Sequence, residues 1–587
     1  MFRIFKYLKK EEWIQVGLSL IFIVAQVWLD LKLPDYMSEI TQLVQMPGSE
    51  MGQIWAAGGY MLLCALGSLA SAIIVGFFAA RIAASFSKRL RSLLFNRVES
   101  FSLEEINRFS TASLITRSTN DITQVQTVVT MGLQVMIKAP IMAVWAITKI
   151  AGKGFEWTLA TGLAVVLLII VIGTIMIFVM PKFKRMQILT DNINRVTREN
   201  LTGLRVVRAY NAEDYQEAKF EEANDELTDT QLFTGRAMAI MMPAMNLVMS
   251  GLSLSIYWIG AYLINGAGAM DKLTIFSNMV VFSSYAMQVI MSFMMVIMIF
   301  IIWPRATVSA NRIHEVLDAE PSILDGSQWA GKAGAIGEVI FRNVSFKYPD
   351  AADYVLEDIS FTAKKGETVA FIGSTGAGKT TLINLVPRFY DTVEGEVLVD
   401  GINVKEYAQE ALHNKIGYVP QRAVLFKGTV ESNVAYGDNG QGEYLAEEMK
   451  KAIAIAQGQE FVEQMTGGYE AAIAQGGTNV SGGQKQRLSI ARAICRKPEI
   501  YIFDDSFSAL DYRTDRILRS ELKKETEGVT TLLVAQRIGT IIDADQIVVL
   551  DEGKIVGRGK HKELLKSCDV YRQIAYSQLS KEELDHE

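Results

Sequence analysis

Residues 373–380 read Gly-Ser-Thr-Gly-Ala-Gly-Lys-Thr, directly after the apolar run Thr-Val-Ala-Phe-Ile at 368–372 and before a helical pattern. This is G-x-x-x-x-G-K-[ST] in the strand–turn–helix context that gives the pattern its meaning. Glycines let successive backbone N–H groups close around phosphate oxygens, Lys379 adds a positive charge, and the Thr380 hydroxyl suits Mg²⁺. The candidate phosphate site is therefore Gly373, Ser374, Thr375, Gly376, Ala377, Gly378, Lys379, Thr380 and Thr381. Downstream, Ile500-Tyr-Ile-Phe503 reads as a buried strand ending in Asp504, the position of the second Mg²⁺-anchoring group in a P-loop ATPase.

Outward from this stretch, short β-rich runs (338–346, 368–372, 500–503, 531–534) alternate with helical ones, the pattern of a layered α/β domain over 338–587. Residues 319–337 hold a Pro and several Gly and read as a linker. Before it the composition changes. Residues 161–180 (TGLAVVLLIIVIGTIMIFVM) carry no charge and match the roughly 20 helical residues that cross a bilayer. Six such segments are expected within 1–318, at about 13–33, 54–80, 128–150, 157–180, 237–264 and 273–303. A soluble protein would have to bury six all-round apolar helices.

Basic residues set the expected orientation. Arg81, Lys88, Arg89, Arg91, Arg97, Arg108 and Arg117 follow the second span, and Lys182, Lys184, Arg185, Arg195, Arg198, Arg205 and Arg208 follow the fourth. Both long segments are expected in the cytoplasm, as helical extensions of the spans. The alternate connections hold few basic residues, such as Lys32, Lys149, Lys153 and Lys272. Arg3, Lys6, Lys9 and Lys10 keep the amino terminus inside, and Phe2, Phe5 and Tyr7 suggest a short helix on the membrane surface. No A-x-A-type cleavage site follows the first span, so a removable signal peptide is not expected.

The composition agrees with two such parts: 587 residues, 50% hydrophobic, 21% charged, mean hydropathy +0.19. A formal charge of −6 offers no basic excess to attract nucleic acid, and three scattered cysteines suggest neither a disulfide framework nor a zinc site.

Between the phosphate motif and Asp504 lies Val480-Ser481-Gly482-Gly483-Gln484, followed by KQRLSIARA. Ser-Gly-Gly-Gln before a basic helix resembles the signature of ATP-binding cassette proteins. Six spans followed by one cassette resemble an exporter-like half-transporter over essentially the whole chain. That resemblance implies ATP and Mg²⁺ as ligands. It also implies that Ser481, Gly482, Gly483 and Gln484 face the nucleotide of a second half-transporter subunit in a head-to-tail cassette dimer. Tyr348 resembles the aromatic that stacks on adenine, and Gln421 the glutamine that contacts Mg²⁺ and the attacking water. Ser508-Ala-Leu-Asp511 resembles the loop exchanged across the dimer. Two positions and one short run depart from the family. Asp505 stands where a catalytic Glu is usual and Gln536 where a His is usual; Ala474-Gln475-Gly476-Gly477 replaces a Glu-Arg-Gly run that usually makes a coupling contact. Asp505 and Gln536 together suggest a degenerate site of the kind found in one subunit of heterodimeric multidrug exporters.

The expected cargo is hydrophobic or amphipathic small molecules, with a lipid flippase as the alternative. A soluble cassette ATPase is disfavoured by the spans. Methionines from Met238 to Met298 would suit an adaptable cavity or plain helix packing. Lys138 within the third span implies a cavity or a partner, and Asp30, Asp35 and Glu39 a possible acidic outer mouth. Residues 111–117 and 210–214 resemble the short helices that dock on cassettes.

Overall fold

The computed structural model describes residues 2–46, 49–151, 154–440, 442, 445–525 and 527–579; Lys153 and the side chains of Lys184 and Met298 lie outside the described set. The chain divides into two compact units, one of residues up to Val98 with Ala112–Ala319, the other of Glu99–Thr111 with the residues from Glu320 on.

In the first unit, six helices among the described residues are long and apolar enough to cross a membrane: Lys10–Gln45, Met51–Glu99, Thr111–Ala151, Phe155–Thr202, Glu213–Gly266 and the Asp271–Val296 part of Ala269–Asp318. Four of them run without a break for 48 to 54 residues, about 70–80 Å at about 1.5 Å per residue. The long charged segments between spans are thus helical extensions, as their spacing suggests. Side chains such as Leu62, Leu66, Ile73, Leu163 and Ile170 stand exposed along these helices, a surface that lipid would cover. The inward side packs around Trp157, Phe282 and Tyr285, and the Trp157 ring N–H donates to the Ile256 carbonyl at 3.1 Å.

Charges inside the spans are neutralised within the bundle. Lys138 Nζ lies 3.0 Å from Asp30 Oδ2, and Ser68 donates to the same carboxylate. Lys149 Nζ lies 2.8 Å from Asp35 Oδ2, whose other oxygen is 2.6 Å from the Tyr285 hydroxyl. A charge in hydrocarbon is expensive unless paired, so Lys138 has a partner. Asp30 and Asp35 are pairing residues between the first, third and sixth spans and not a free acidic mouth. The third span carries two π-helical turns, Arg117–Asp121 and Gly132–Met136. At the first, Asp121 accepts from Ser309 at 2.8 Å, and Arg117 meets Glu315 at 2.8 Å. The amino-terminal segment Phe2–Tyr7 is a short 3₁₀ helix with Ile4 buried and Phe5 stacked on Phe86.

In the second unit, β1 (Val339–Phe346), β2 (Leu356–Ala363), β4 (Glu394–Val399) and β5 (Ile402–Asn403) form an antiparallel sheet ordered β2-β1-β4-β5. A two-stranded sheet pairs β7 (Gly428–Thr429) with β8 (Ala472–Ile473). A six-stranded sheet comprises β3 (Thr368–Gly373), β6 (Ile416–Val419), β9 (Ile500–Asp504), β10 (Thr530–Val534), β11 (Gln546–Asp551) and β12 (Lys554–Gly559), in the order β12-β11-β3-β10-β9-β6. All its pairings are parallel except β11 with β12. Alternation with period two sends Val369, Phe371, Ile500 and Ile502 into one core and Ala370, Ile372, Tyr501 and Phe503 into the other. Burial on both faces explains why these strands read as continuous apolar runs. Residues 319–337, expected as a linker, make specific contacts with the α/β unit from Glu320 on. Gln328 bridges Tyr407, the Lys332 N–H donates to the Asp400 carbonyl at 2.9 Å, and a Cβ at Gly331 would sit 2.3 Å from that of Asp400.

A short helix, Leu103–Phe109, belongs to this second unit. Ser102 and Glu105 close a capping box at its start, and Ser110 at φ +60° ends it. The docking helix therefore precedes the expected residues 111–117, which open the third span. In the second long segment a short helix, Leu204–Ala209, precedes the expected stretch; residues 210–212 form the turn after it, and Asp214 lies in the next helix.

Candidate nucleotide-binding site

Strand register builds the site. In β10, Val534 pairs with Phe371 of β3 on one side and Asp504 of β9 on the other. The glycine-rich turn that leaves β3 at Gly373 and the acid that ends β9 therefore emerge together at the carboxyl edge of the sheet, where open α/β sheets bind ligands. Gly378 caps the helix Lys379–Asn384 at φ +90°, and a Cβ there would lie 2.7 Å from Leu356 Cδ2 and 2.9 Å from the Val355 carbonyl. A Cβ on Gly373 would meet the Leu550 carbonyl at 2.0 Å. Only glycine fits either position.

The turn is folded as an anion cradle with its cation turned inward. Lys379 Nζ donates to the Gly373 and Ser374 carbonyls at 2.9 and 2.7 Å. Burial lowers the affinity of this ammonium for its proton, while Asp505 and Asp504 oppose that shift. The Thr380 hydroxyl donates to Asp504 Oδ1 at 2.9 Å. A hydroxyl and a buried carboxylate in contact beside a cradle of N–H groups fit Mg²⁺ carried in by a nucleotide, which needs few protein oxygens because phosphates complete its shell. Burial raises the Asp504 carboxyl above the usual range, Asp505 adds to the rise, and Thr380 and Lys379 oppose it.

Asp505 follows with φ +45° and is 7% exposed. Its Oδ2 accepts from Gln536 Nε2 at 2.8 Å and, at the longer distance of 3.4 Å, from Gln421 Nε2. Burial raises its carboxyl too, against the hydrogen bonds of Gln421 and Ser508. Two residues singled out on family grounds, Gln421 and Gln536, thus converge on one carboxylate oxygen of a third. Tyr348 stands half-buried beside the phosphate helix, its hydroxyl 3.0 Å from Thr381 Oγ1.

The signature lies elsewhere on the unit. Ser481 caps the 14-residue helix Gly482–Cys495, and Gln484 completes the box: its N–H donates to Ser481 Oγ at 3.3 Å, and its Oε1 accepts from the Ser481 N–H at 2.9 Å. Ser481 and Gly482 are exposed, so the positive end of a helix dipole faces outward. The departing run Ala474–Gly477 is a tight 3₁₀ turn with Gly476 and Gly477 at φ +69° and +64°, and the Gly476 N–H bonds the Leu425 carbonyl at 3.1 Å. One residue went unread in the sequence. Tyr390, in Arg388-Phe-Tyr-Asp391 after the phosphate helix, packs edge to face with Tyr348, ring centroids 5.3 Å apart. Its position soon after the phosphate motif was the available signal.

Comparisons with known proteins agree with this architecture. The family model of the ABC transporter matches residues 356–508, and that of the ABC transporter transmembrane region matches 16–303. An uncharacterized ABC transporter ATP-binding protein of Mycobacterium tuberculosis is 41% identical over 523 residues, 89% of this chain and 87% of that protein. YfiB of Bacillus subtilis, of the same description, is 33% identical over 96% of each chain. An ATP-dependent lipid A-core flippase of Pseudomonas fluorescens is 32% identical over 78% of this chain and 75% of its own length. Among solved structures, a bacterial Atm1-family ABC exporter with ATP bound superposes with a TM-score of 0.79 at 25% identity, covering 95% of this chain and 97% of the other. The chain belongs to the ABC transporters: it is an exporter half-transporter that carries six membrane helices and one nucleotide-binding cassette on a single polypeptide.

Proposed function

We propose that this chain is the ATP-holding, weakly hydrolysing half of a heterodimeric exporter of hydrophobic or amphipathic small molecules in a bacterial plasma membrane. In this reading both termini and both long inter-span segments face the cytoplasm. Bound MgATP supplies the phosphoanhydride whose cleavage drives transport. The chain's own residues divide the work. Gly373–Gly378 and Lys379 hold phosphate, Thr380 and Asp504 hold the cation, Tyr348 meets the base, and Ser481–Gln484 complete the partner's site.

The observation that carries the reading is the state of Asp505. Its side chain is one methylene shorter than the usual Glu, and its Oδ2 accepts from the amides of Gln536 and Gln421. A displacement of about 1 Å costs on the order of 100-fold in rate. Gln536 donates a hydrogen bond but cannot become cationic. The purified chain should bind a fluorescent ATP analogue well and turn over ATP far below the ordinary range of about 1–10 s⁻¹. A homodimer working within that range would overturn the degenerate-site reading.

A lipid flippase is the second reading, favoured by the lipid A-core flippases among the relatives. Vesicles containing the transporter distinguish the two: ATP-dependent movement of a labelled lipid without movement of a hydrophobic dye supports the flippase.

A further inference from the structure

Beyond the division of labour between two nucleotide sites, the second unit contains a continuous path from the short helix Leu103–Phe109 to the candidate adenine face. Asn107 Nδ2 donates to the Tyr390 hydroxyl at 3.3 Å. Tyr390, 9% exposed, meets Tyr348 at a ring angle of 88°, and both rings pack against Phe346 at centroid distances of 5.5 and 5.1 Å. The Tyr348 hydroxyl lies 3.0 Å from Thr381, next to the proposed Mg²⁺-binding Thr380. The helix itself is fixed at its other end, where Glu105 Oε1 accepts from the Ser322 N–H at 3.0 Å and the Ser102 and Ser322 hydroxyls are 2.9 Å apart. Between these two attachments lies a cavity of about 220 Å³ lined by Ser102, Glu104, Ser322, Tyr348 and Tyr390.

We infer that Tyr390 is a positioning residue that ties the docking of helix Leu103–Phe109 to occupancy of the adenine face of Tyr348. Perpendicular aromatic pairs have a preferred geometry, so a turn of one ring disturbs the other. A base stacked on Tyr348 must therefore fix or turn that ring, and Tyr390 turns with it. The Tyr390 hydroxyl carries the change to Asn107, an exposed residue of that helix. The cavity leaves room for the movement, while the Ser322 attachment acts as its pivot. The path lies wholly within one chain, so it reports the state of this chain's own nucleotide even when hydrolysis there is slow. A subunit that mainly holds ATP would signal by occupancy in this way.

The inference rests on Tyr348 as the adenine-contacting residue, and the experiment separates the two claims. The full-length transporter in lipid nanodiscs carries a spin label at Arg108→Cys, and the native cysteines Cys64, Cys495 and Cys568 are buried. Saturation with the ATP analogue TNP-ATP should change label mobility in the parent protein. Asn107→Ala, a surface change, and Tyr390→Phe, which keeps the ring, should each reduce that change to less than half. Both should keep TNP-ATP affinity within about threefold, about 0.7 kcal/mol. An undiminished mobility change in both variants, or none in the parent protein, overturns the relay. Tyr348→Ala tests the premise: it should weaken TNP-ATP binding about tenfold or more while sparing inorganic triphosphate, and an unchanged affinity removes the adenine reading and the relay with it.

Discussion

The two units each hold a pair of carboxylates, half-buried in the membrane unit and buried in the cassette, and they treat them in opposite ways. In the membrane unit Asp30 and Asp35 each meet a lysine at 3.0 and 2.8 Å, with Ser68 and Tyr285 completing the shells. In the cassette Asp504 and Asp505 form no ion pair among the described residues; their donors include the Thr380 hydroxyl and the amides of Gln536 and Gln421. The nearest cation, Lys379, is turned onto backbone carbonyls. Charges in the membrane unit are neutralised inside the chain, whereas those assigned to a ligand in the proposed function are left for a cation to neutralise. Removing one member of the first kind should damage the protein, and removing one of the second kind should damage binding while relieving the empty fold.

The largest effect follows from breaking the membrane pair. Lys138→Ala leaves Asp30 without its ion partner and should cost about 3 kcal/mol, seen as a fall in Tm of about 6 °C or more in detergent. The double substitution Asp30→Asn with Lys138→Gln should recover most of it. Equal Tm values for the single and double variants would show that the pair does not bear on the fold.

Asp504→Asn should behave differently. Loss of a charged acceptor at the proposed cation site should weaken Mg²⁺-dependent ATP binding by about 10–100-fold, measured by nucleotide titration with Mg²⁺ and with EDTA. Without nucleotide, the same variant should be at least as stable as the parent. Wild-type binding strength in this variant would remove Asp504 from the cation site.

The smallest effect is on pH dependence. Burial raises the carboxyls of Asp504 and Asp505 above 3.8. A carboxyl of this kind keeps its proton in the native state after the unfolded chain has released it. Its stabilising contribution is present in full below 3.8 and is lost as pH rises through the native value. Asn at either position should therefore flatten the fall in nucleotide-free stability as pH rises above 3.8, measured as Tm against pH. A steeper fall would reverse the sign assigned to these groups.

This contrast also explains what the sequence discloses. A 20-residue run without charge and G-x-x-x-x-G-K-[ST] after an apolar strand are local statements, so the six spans and the cassette are legible in the chain itself. Asp504 is legible because a continuous apolar strand leads into it. The partner of Lys138 is not, since Asp30 is 108 positions away and only helix packing brings them together. Tyr390 is hidden for the same reason, as its neighbour Tyr348 lies 42 positions earlier, in the segment just after β1. The short docking helix is legible in its own cap, since Ser102-Leu-Glu-Glu105 is a capping box, whereas residues 111–117 carry a family likeness without such a box. The segment 319–337 carries loop composition, yet it docks because Gly331 lets the backbone approach Asp400, a fit that no local pattern encodes.

The most direct test of the proposed division between the two nucleotide sites compares two substitutions in the transporter purified with its partner subunit. Ser481→Arg fills the exposed signature that is assigned to the partner's nucleotide, where an oriented donor is worth about 3 kcal/mol. Asp505→Asn alters this chain's own site. Steady-state ATP hydrolysis should fall about 100-fold or more with the first and less than about threefold with the second, about 0.7 kcal/mol. The reverse ranking would contradict the account, because it would place the hydrolytic step at this chain's own site.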